Sequence, residues 1–449
     1  MSATPAPAGG IRTAALPEAA PATPVPSAAP PPHPAWGDGF ADLLRADPDV
    51  AGLLLAEAER QTTGLQLTAA ENFASPAVLA ALGSPLTNKY AEGYPGARHH
   101  GGCEIVDMAE RLATGRATAL FGADHANVQP HSGTAAVLAA YAAVLAPGDT
   151  VLALDLHHGG HLVHGSPATL AGSRYRFVGY GLCPETGLID YDRVRDLARR
   201  HRPRALVCGS TSYPRHPDYA AFREIADETG AVLIVDAAHP IGLVAGGAAP
   251  SPVPYADVVC ATTHKVLRGP RGGLLLCGTD RAGAVDRAVF PHAQGGAQMQ
   301  EVAAKAVAFG EAATPAFAAY AHQVVANARA LAAALAEEGF GIATGGTDTH
   351  LVAADVTPLG VDAATARRRL AAAAIVLDTC GLGPGAARGL RLGTAAITTQ
   401  GLGTAEMAQV AGVMAAAVRA GSPGGPEVAE VRAQVAGLAG RFPPYRSHM

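Results

Sequence analysis

The stretch "RALVCGSTSYPRHPDYAAFREIADETGAVLIVDAAH", residues 204–239, holds two apolar runs joined by a segment with helical spacing. The runs "RALVCGS" and "AVLIVDA" are continuously apolar at their centres, which is typical of strands buried on both faces of a parallel sheet. Between them, "YAAFREIADETG" has apolar residues at helical spacing and ends on a glycine. We therefore predict a strand, helix, strand unit, which indicates an α/β fold built on a mostly parallel sheet.

Similar apolar runs occur at 150–156, 257–263 and 272–278, so the same architecture extends well beyond the quoted stretch. From about residue 300 the sequence becomes rich in alanine with helical spacing, and "THLVAADV" (349–356) has the character of a strand. We predict a second, smaller α+β domain that ends in an amphipathic helix near 427–441. The predicted organisation is a disordered Pro/Ala-rich tail (1–34), a helical arm (35–60), a large domain (61–315) and a small domain (316–449).

The composition excludes several classes of protein. The 449 residues carry a formal charge of only −5, which favours neither nucleic acid nor an acidic membrane as a partner. No apolar span of membrane length is free of glycine, proline or charge, and the start of the chain lacks the features of a secretory signal. The six cysteines are scattered without metal-site spacing, so we expect no metal, reduced thiols and a cytoplasmic location.

Polar residues follow several predicted strands at their carboxyl ends, where ligands bind in open α/β sheets. Asp236 ends one strand and His239 comes three residues later, although a single aspartate there could equally be a helix cap. "HSGT" (131–134) precedes a helical segment and suits a phosphate, with a simple N-cap as the alternative. "HHGGH" (157–161) could stack on an aromatic ring or merely form a loop.

Lys265, in "ATTHKVLRGPRGG" (261–273), is one of only three lysines among 33 lysines and arginines. A buried lysine can lose its proton and attack a carbonyl, which an arginine cannot do, although a GC-rich genome would also deplete lysine. The order of the polar residues that precede Lys265 along the chain is more informative than the scarcity of lysine. A phosphate-type helix start, a histidine-rich loop, Asp236 and then His264 and Lys265 together provide what a pyridoxal phosphate site needs.

At this point the sequence resembles the serine hydroxymethyltransferases, a family of fold-type I pyridoxal phosphate enzymes, over about residues 50 to 445. The resemblance implies a seven-stranded-type sheet in the large domain and a homodimer, or a dimer of dimers, with shared active sites. The segments that carry it include "NKYAEGYPG" (88–96), "GGCEIVD" (101–107), "ANVQPHSG" (126–133), "HGGHLVHGSP" (158–167), "TTHKVLRGPRGG" (262–273) and "RLGTAAIT" (391–398).

The resemblance also implies roles for individual residues. Lys265 would bind the cofactor covalently, Asp236 would pair with its pyridine nitrogen, and His158 would stack on its ring. Arg391 would hold the substrate α-carboxylate by a bidentate, charge-assisted pair. The remaining implied residues are Ser132, Gly133 and Thr134 at the phosphate, Thr211, His239 and His264 around the ring, and Tyr90, Glu92, Gly295 and Gly296 from the partner subunit, with Glu92 moving a proton of the β-hydroxyl group.

The chain departs from the family at several positions. Ala70 replaces a serine near the substrate carboxylate, and His99 and His100 replace two tyrosines associated with folate contact and proton transfer. The segment 376–391 is about five residues shorter than usual, with Asp378, Thr379 and Cys380 in place of Asn-Lys-Asn. His100 would still contact the substrate, because an imidazole can form hydrogen bonds.

These departures leave three hypotheses about function. The one that they favour is a folate-independent transaldolase or aldolase, which transfers a glycyl unit from L-threonine or L-serine to an aldehyde. The alternative is an ordinary serine hydroxymethyltransferase that uses tetrahydrofolate. A third, of another class, is a regulatory protein that binds pyridoxal phosphate with little catalysis, against which Lys265, Glu92 and Arg391 argue.

Overall fold

A computed structural model of the protein describes residues 39–383 and 388–445, so the predicted disordered tail (1–34) lies outside the described residues. The described chain begins with two helices, α1 (Gly39–Ala46) and α2 (Pro48–Thr63). Asp47 caps α2 by accepting a hydrogen bond from the Val50 N–H at 3.0 Å, and Pro48 occupies the first turn, where no N–H is needed. A two-residue strand, β1 (Leu65–Gln66), follows.

The centre of the large domain is a seven-stranded sheet, as the resemblance implied. A separate two-stranded ribbon, β2 (Gly93–Tyr94) and β3 (Ala97–Arg98), precedes it. The seven strands are β4 (His125–Asn127), β5 (Thr150–Leu154), β6 (Arg176–Tyr180), β7 (Ala205–Gly209), β8 (Val232–Asp236), β9 (Val258–Thr262) and β10 (Gly273–Cys277). Their order is β4-β10-β9-β8-β7-β5-β6, and β10 alone runs antiparallel to its neighbours. The prediction of an α/β fold with a mostly parallel sheet is confirmed.

Helices cover both faces of this sheet, and each face has its own apolar core. The helices of this domain are α3 (Pro76–Leu82), α4 (Glu104–Phe121), α5 (Gly133–Val144), α6 (Leu170–Arg174), α7 (Tyr191–His201), α8 (Tyr219–Thr229), α9 (Ile241–Ala245), α10 (Thr279–Arg287) and α11 (Met299–Ala312). The helix predicted inside the quoted stretch is α8, which ends at Gly230 in the left-handed conformation (φ 69°) that glycine adopts without strain.

The small domain has an antiparallel sheet packed against helices. Its elements are α12 (Pro315–Glu337), β11 (Gly341–Ile342), β12 (Leu351–Asp355), α13 (Ala363–Ala372), β13 (Ile375–Val376), β14 (Asp378–Gly381), β15 (Arg388–Gly393), α14 (Ala395–Gln400), α15 (Met407–Arg419) and α16 (Pro426–Gly440). The sheet order is β11-β12-β15-β14. Strand β1 pairs in parallel with β13, so Leu65 and Leu67 are buried in the core of this domain, distant in sequence from the rest of it.

Candidate active site

A cavity of about 320 Å³ lies at the carboxyl ends of β7, β8 and β9, the edge where the sequence placed its polar residues. Strand β8 ends at Asp236, and Lys265 follows the end of β9 by three residues. The cavity walls include Ala70, Ser132, Gly133, Thr134, His161, Thr211, Asp236, His239, His264, Lys265, Arg271 and Arg391. The fold thus brings together residues that are up to 321 positions apart, as Ala70 and Arg391 are.

Lys265 is almost completely buried, with only 9% of its surface exposed. Burial lowers the pKa of its ammonium group from 10.5 to about 8, because the attraction of Asp236 only partly offsets the loss of water and the repulsion from Arg391. A substantial fraction of the amine is therefore neutral close to physiological pH. That property is what an attacking lysine requires and what an arginine in the same place would lack.

The side chain of Asp236 is only 11% exposed yet stays ionised. Its Oδ2 lies 3.0 Å from Nε2 of His164, and the Nδ1 of His164 lies 2.6 Å from the hydroxyl oxygen of Tyr141. Burial alone would raise the pKa of this carboxyl group, but the hydrogen bond with His164 and the positive charges nearby lower it to about 2. Asp236 Oδ1 also accepts a hydrogen bond from the Ala238 N–H, so the residue caps a turn as well as facing the cavity. His164 was not among the site residues predicted from the sequence.

The start of α5 forms one wall of the cavity. Ser132 is the N-cap residue, and its Oγ accepts a hydrogen bond from the Ala135 N–H at 3.1 Å. A Cβ atom added at Gly133 would overlap the Cγ2 atom of Thr262, so only glycine allows the helix to start this close to β9. Free N–H groups and hydroxyls at the positive end of a helix are suited to a phosphate group.

Buried Lys305 supports the loop that leads into this helix. Its Nζ donates hydrogen bonds to the carbonyl oxygens of Val128 (2.7 Å) and Pro130 (3.0 Å). The same Nζ lies 3.0 Å from Oε1 of Glu301, one helical turn away on α11. Lys305 is 0% exposed and the side chain of Glu301 is 7% exposed, so the pair replaces water as the partner of these backbone groups.

His158, the histidine predicted to stack on the cofactor ring, and His161, three residues later, lie in different surroundings. His158 does not face the cavity: its Nδ1 accepts a hydrogen bond from the Leu182 N–H at 2.8 Å, and its ring borders a different hollow. His161 faces the cavity instead. The reason lies in the two glycines between them, since a Cβ atom at Gly160 would overlap the carbonyl oxygen of Leu154. The chain therefore turns back over the end of its own strand before it reaches His161.

The three histidines that line the cavity, His161, His239 and His264, are neutral. Burial lowers the pKa of His161, lowers that of His264 to about 3, and lowers that of His239 well below its ordinary value. His239 Nδ1 lies 3.3 Å from Nε2 of His350, and the two rings are stacked with an angle of 17° between their planes. Thr211 Oγ1 donates a hydrogen bond to the Gly159 carbonyl oxygen at 3.1 Å, which joins the end of β7 to the histidine loop.

Arg391 extends into the cavity from β15 of the small domain. Its Nη1 donates a hydrogen bond to the carbonyl oxygen of Thr211 at 3.0 Å, and its Nη2 donates one to Oδ2 of Asp378 at 2.6 Å. Its Nε is buried and has no hydrogen-bond partner among the described residues. The segment that carries Asp378 continues into residues 384–387, which lie outside the described part of the chain.

The five remaining predicted residues form a second group. His100 Nε2 lies 3.4 Å from Oε2 of Glu92, and the rings of His100 and Tyr90 are 5.1 Å apart. Gly295 and Gly296 lie beside Glu92, close enough that a Cβ atom on Gly296 would be 3.2 Å from its Cγ. Within the described residues of one chain, none of the five borders the Lys265 cavity. Their expected contribution to the site of a partner subunit stays a prediction.

The cavity fits pyridoxal phosphate by its chemistry. It offers a buried amine of lowered pKa, an ionised carboxylate, a neutral imidazole ring and a helix start with hydroxyl groups. Two of its buried polar atoms, Nδ1 of His264 and Nε of Arg391, lack hydrogen-bond partners in the described chain and are available to a ligand. A volume of about 320 Å³ is within the usual range of small-molecule sites.

Comparison with known proteins gives two findings. A family model described as serine hydroxymethyltransferase matches residues 43–414. A curated serine hydroxymethyltransferase from Synechococcus sp. (strain JA-3-3Ab) is 50% identical over 427 residues, which covers 91% of this chain and 98% of that protein. Among the described residues, no helix is both long and apolar enough to cross a membrane.

Proposed function

The chain belongs to the serine hydroxymethyltransferase family of fold-type I, pyridoxal-phosphate-dependent transferases, and we propose that it interconverts serine and glycine with tetrahydrofolate as the one-carbon acceptor. The observation that carries the proposal is the cavity in which Lys265, Asp236, His161 and Ser132 converge. The 50% identity to a named serine hydroxymethyltransferase supports the ordinary reaction over the transaldolase that the sequence analysis favoured.

In this reaction the Cα–Cβ bond of the amino acid breaks or forms, and pyridoxal phosphate would supply the electron sink for the carbanion at Cα. Lys265 would hold the cofactor and exchange places with the amino group of the substrate. Asp236, ionised in the interior, would keep a proton on the pyridine nitrogen. Arg391 would hold the α-carboxylate, which fixes the orientation of the bond to be broken.

The second proton-transfer group would come from a partner subunit. We propose that Glu92 and His100, which are already within 3.4 Å of each other, move the proton of the β-hydroxyl group in the partner's cavity. The exposed apolar side chains of Tyr90 (67%), Ile105 (67%) and Met108 (64%) support a homodimer or a dimer of dimers, because a large apolar surface is costly in water. A cytoplasmic location stays a prediction that rests on the unpaired cysteines.

A second candidate function is supported by specific residues. Ala70 borders the cavity where the family has a serine, and His99 and His100 stand where it has tyrosines. Such changes would favour the transfer of a glycyl unit from L-threonine to a larger aldehyde without tetrahydrofolate. The hypothesis of a non-catalytic regulatory protein has less support, since the amine, the carboxylate and the arginine that catalysis requires all face one cavity.

A single set of assays distinguishes these functions. The holoenzyme is incubated with L-serine or L-threonine, with and without tetrahydrofolate, and the formation of glycine is followed together with the release of any free aldehyde. We expect rapid turnover of serine only when tetrahydrofolate is present. Threonine cleavage with transfer to an added aldehyde, unaffected by tetrahydrofolate, would replace the proposal with the second candidate. Bound cofactor with no turnover of either amino acid would support the regulatory hypothesis.

A further inference from the structure

The ion pair between Arg391 and Asp378 is built into the sheet of the small domain. Strands β14 and β15 are antiparallel, and Asp378 lies directly opposite Arg391 in their register. Side chains in such positions share one face of the sheet and lie close together. The 2.6 Å contact between Nη2 and Oδ2 therefore follows from the strand pairing, and the aspartate cannot be far from the guanidinium.

This contact uses a donor that a substrate needs. A carboxylate binds arginine best through two parallel N–H groups. Nη1 of Arg391 is directed to the Thr211 carbonyl oxygen and Nη2 to Asp378, which leaves the buried Nε as the atom without a partner. An α-carboxylate that approaches along the Nε and Nη2 edge would meet an arginine whose charge is already offset by a neighbouring carboxylate.

A second carboxylate, that of Glu71, lies close enough to Asp378 for their charges to interact. The negative charge of Asp378 is one cause that raises the pKa of Glu71, after the effect of burial. The Asp378 side chain is 37% exposed, whereas that of Arg391 is 16% exposed, so the aspartate lies on the solvent side of the pair. It can turn toward water when another anion takes its place on Arg391.

We propose that Asp378 determines substrate affinity by competing with the α-carboxylate of the amino acid for Arg391, an inference that rests on the proposed function. Replacement of Asp378 by asparagine keeps the shape of the side chain and removes the competing charge. Because the pair is partly exposed, its strength is discounted for solvent screening, and the affinity for amino acids should rise about fivefold. The turnover number should change little, since Asp378 is not placed at the reacting bond.

The test compares holoenzyme with the Asp378→Asn variant. Glycine is titrated into each protein, and its Kd is obtained from the change in cofactor absorbance; KM and kcat are then measured with L-serine. Ethanolamine, which is serine without its carboxylate, is the control ligand. The control variant is Asp192→Asn, which removes a carboxylate that is 96% exposed on α7. We expect Asp378→Asn alone to lower the Kd for glycine and the KM for serine, with no gain for ethanolamine.

Three other results would overturn the inference. An unchanged Kd for glycine in Asp378→Asn would show that the aspartate does not compete. Equal gains for glycine and ethanolamine would show that the effect does not pass through the carboxylate on Arg391. No absorbance change with any amino acid in either protein would contradict the proposed function itself, and the inference with it. If asparagine reduces cofactor loading, Asp378→Ser serves as the second variant for the same titrations.

Discussion

Replacement of Lys305 by methionine should destabilise the protein strongly, because it would leave Glu301 buried without a positive partner. Methionine has nearly the length of the lysine side chain, so the variant removes charge and hydrogen bonds without opening a large cavity. Two charge-assisted hydrogen bonds, to Val128 and Pro130, would also be lost. These carbonyl groups precede Ser132, so the affinity for pyridoxal phosphate should fall as well.

The magnitude follows from the burial of the pair. Removing one partner of a buried ion pair typically costs about 3 to 5 kcal/mol, and each hydrogen bond to a charged group contributes about 1.5 to 3 kcal/mol, although the two losses overlap. Burial of the methionine side chain returns about 1.5 to 3 kcal/mol at most. With Lys305 at 0% exposure, we expect a net loss of about 3 kcal/mol in the free energy of unfolding.

The assay is urea denaturation at one fixed protein concentration, with cofactor loading measured in parallel by absorbance. The double variant Lys305→Met/Glu301→Gln should recover part of the loss, because the unpaired charge is gone. The control is Lys89→Met, a lysine on a surface loop whose replacement should cost less than about 1 kcal/mol. A loss below about 1 kcal/mol for Lys305→Met, or no recovery in the double variant, would refute the importance of this pair.

Three further predictions concern the cofactor. The rate at which pyridoxal phosphate binds the apoenzyme should rise about tenfold per pH unit below the Lys265 pKa of about 8 and level off above it. The reason is that only the neutral amine attacks. Stopped-flow absorbance measures this rate, and a rate independent of pH would contradict the prediction. His161→Ala should weaken cofactor binding about tenfold in absorbance titrations, while His158→Ala should not, and equal effects would restore the original assignment. Gly133→Ala should reduce cofactor affinity by about 1 to 3 kcal/mol because the added methyl group overlaps Thr262, and equilibrium dialysis should show recovery in Gly133→Ala/Thr262→Ser.

The α/β fold and its mostly parallel sheet could be predicted from the sequence because the strands are specified by local apolar runs. The continuously apolar runs at 204–210 and 231–237 became β7 and β8, and the segment between them became α8. Residues that directly follow such strands, including Asp236 and Lys265, could be placed at one edge of the sheet without knowledge of the tertiary structure.

The features that were not predicted depend on contacts distant in sequence or on loop geometry. "HHGGH" contains three histidines, and spacing alone does not show that the glycines turn the chain so that His161, rather than His158, reaches the cavity. The hydrogen bond between His164 and Asp236 joins residues 72 positions apart. The pairing of Asp378 with Arg391 needs the register of β14 and β15, which no local pattern specifies.

The pairing of β1 with β13 has a consequence for dissecting the protein into parts. A recombinant fragment that begins at residue 316 would lack Leu65 and Leu67, which are 0% exposed in the core of the small domain. Their loss would leave a cavity with the volume of two leucine side chains. Replacing one buried leucine by alanine already lowers the free energy of unfolding by about 2 to 5 kcal/mol. A small domain that folds by itself therefore requires residues 65–67 to be added back, for example by circular permutation. In the natural sequence these residues precede the seven-stranded sheet of the large domain, so the small domain is separated from one of its own strands.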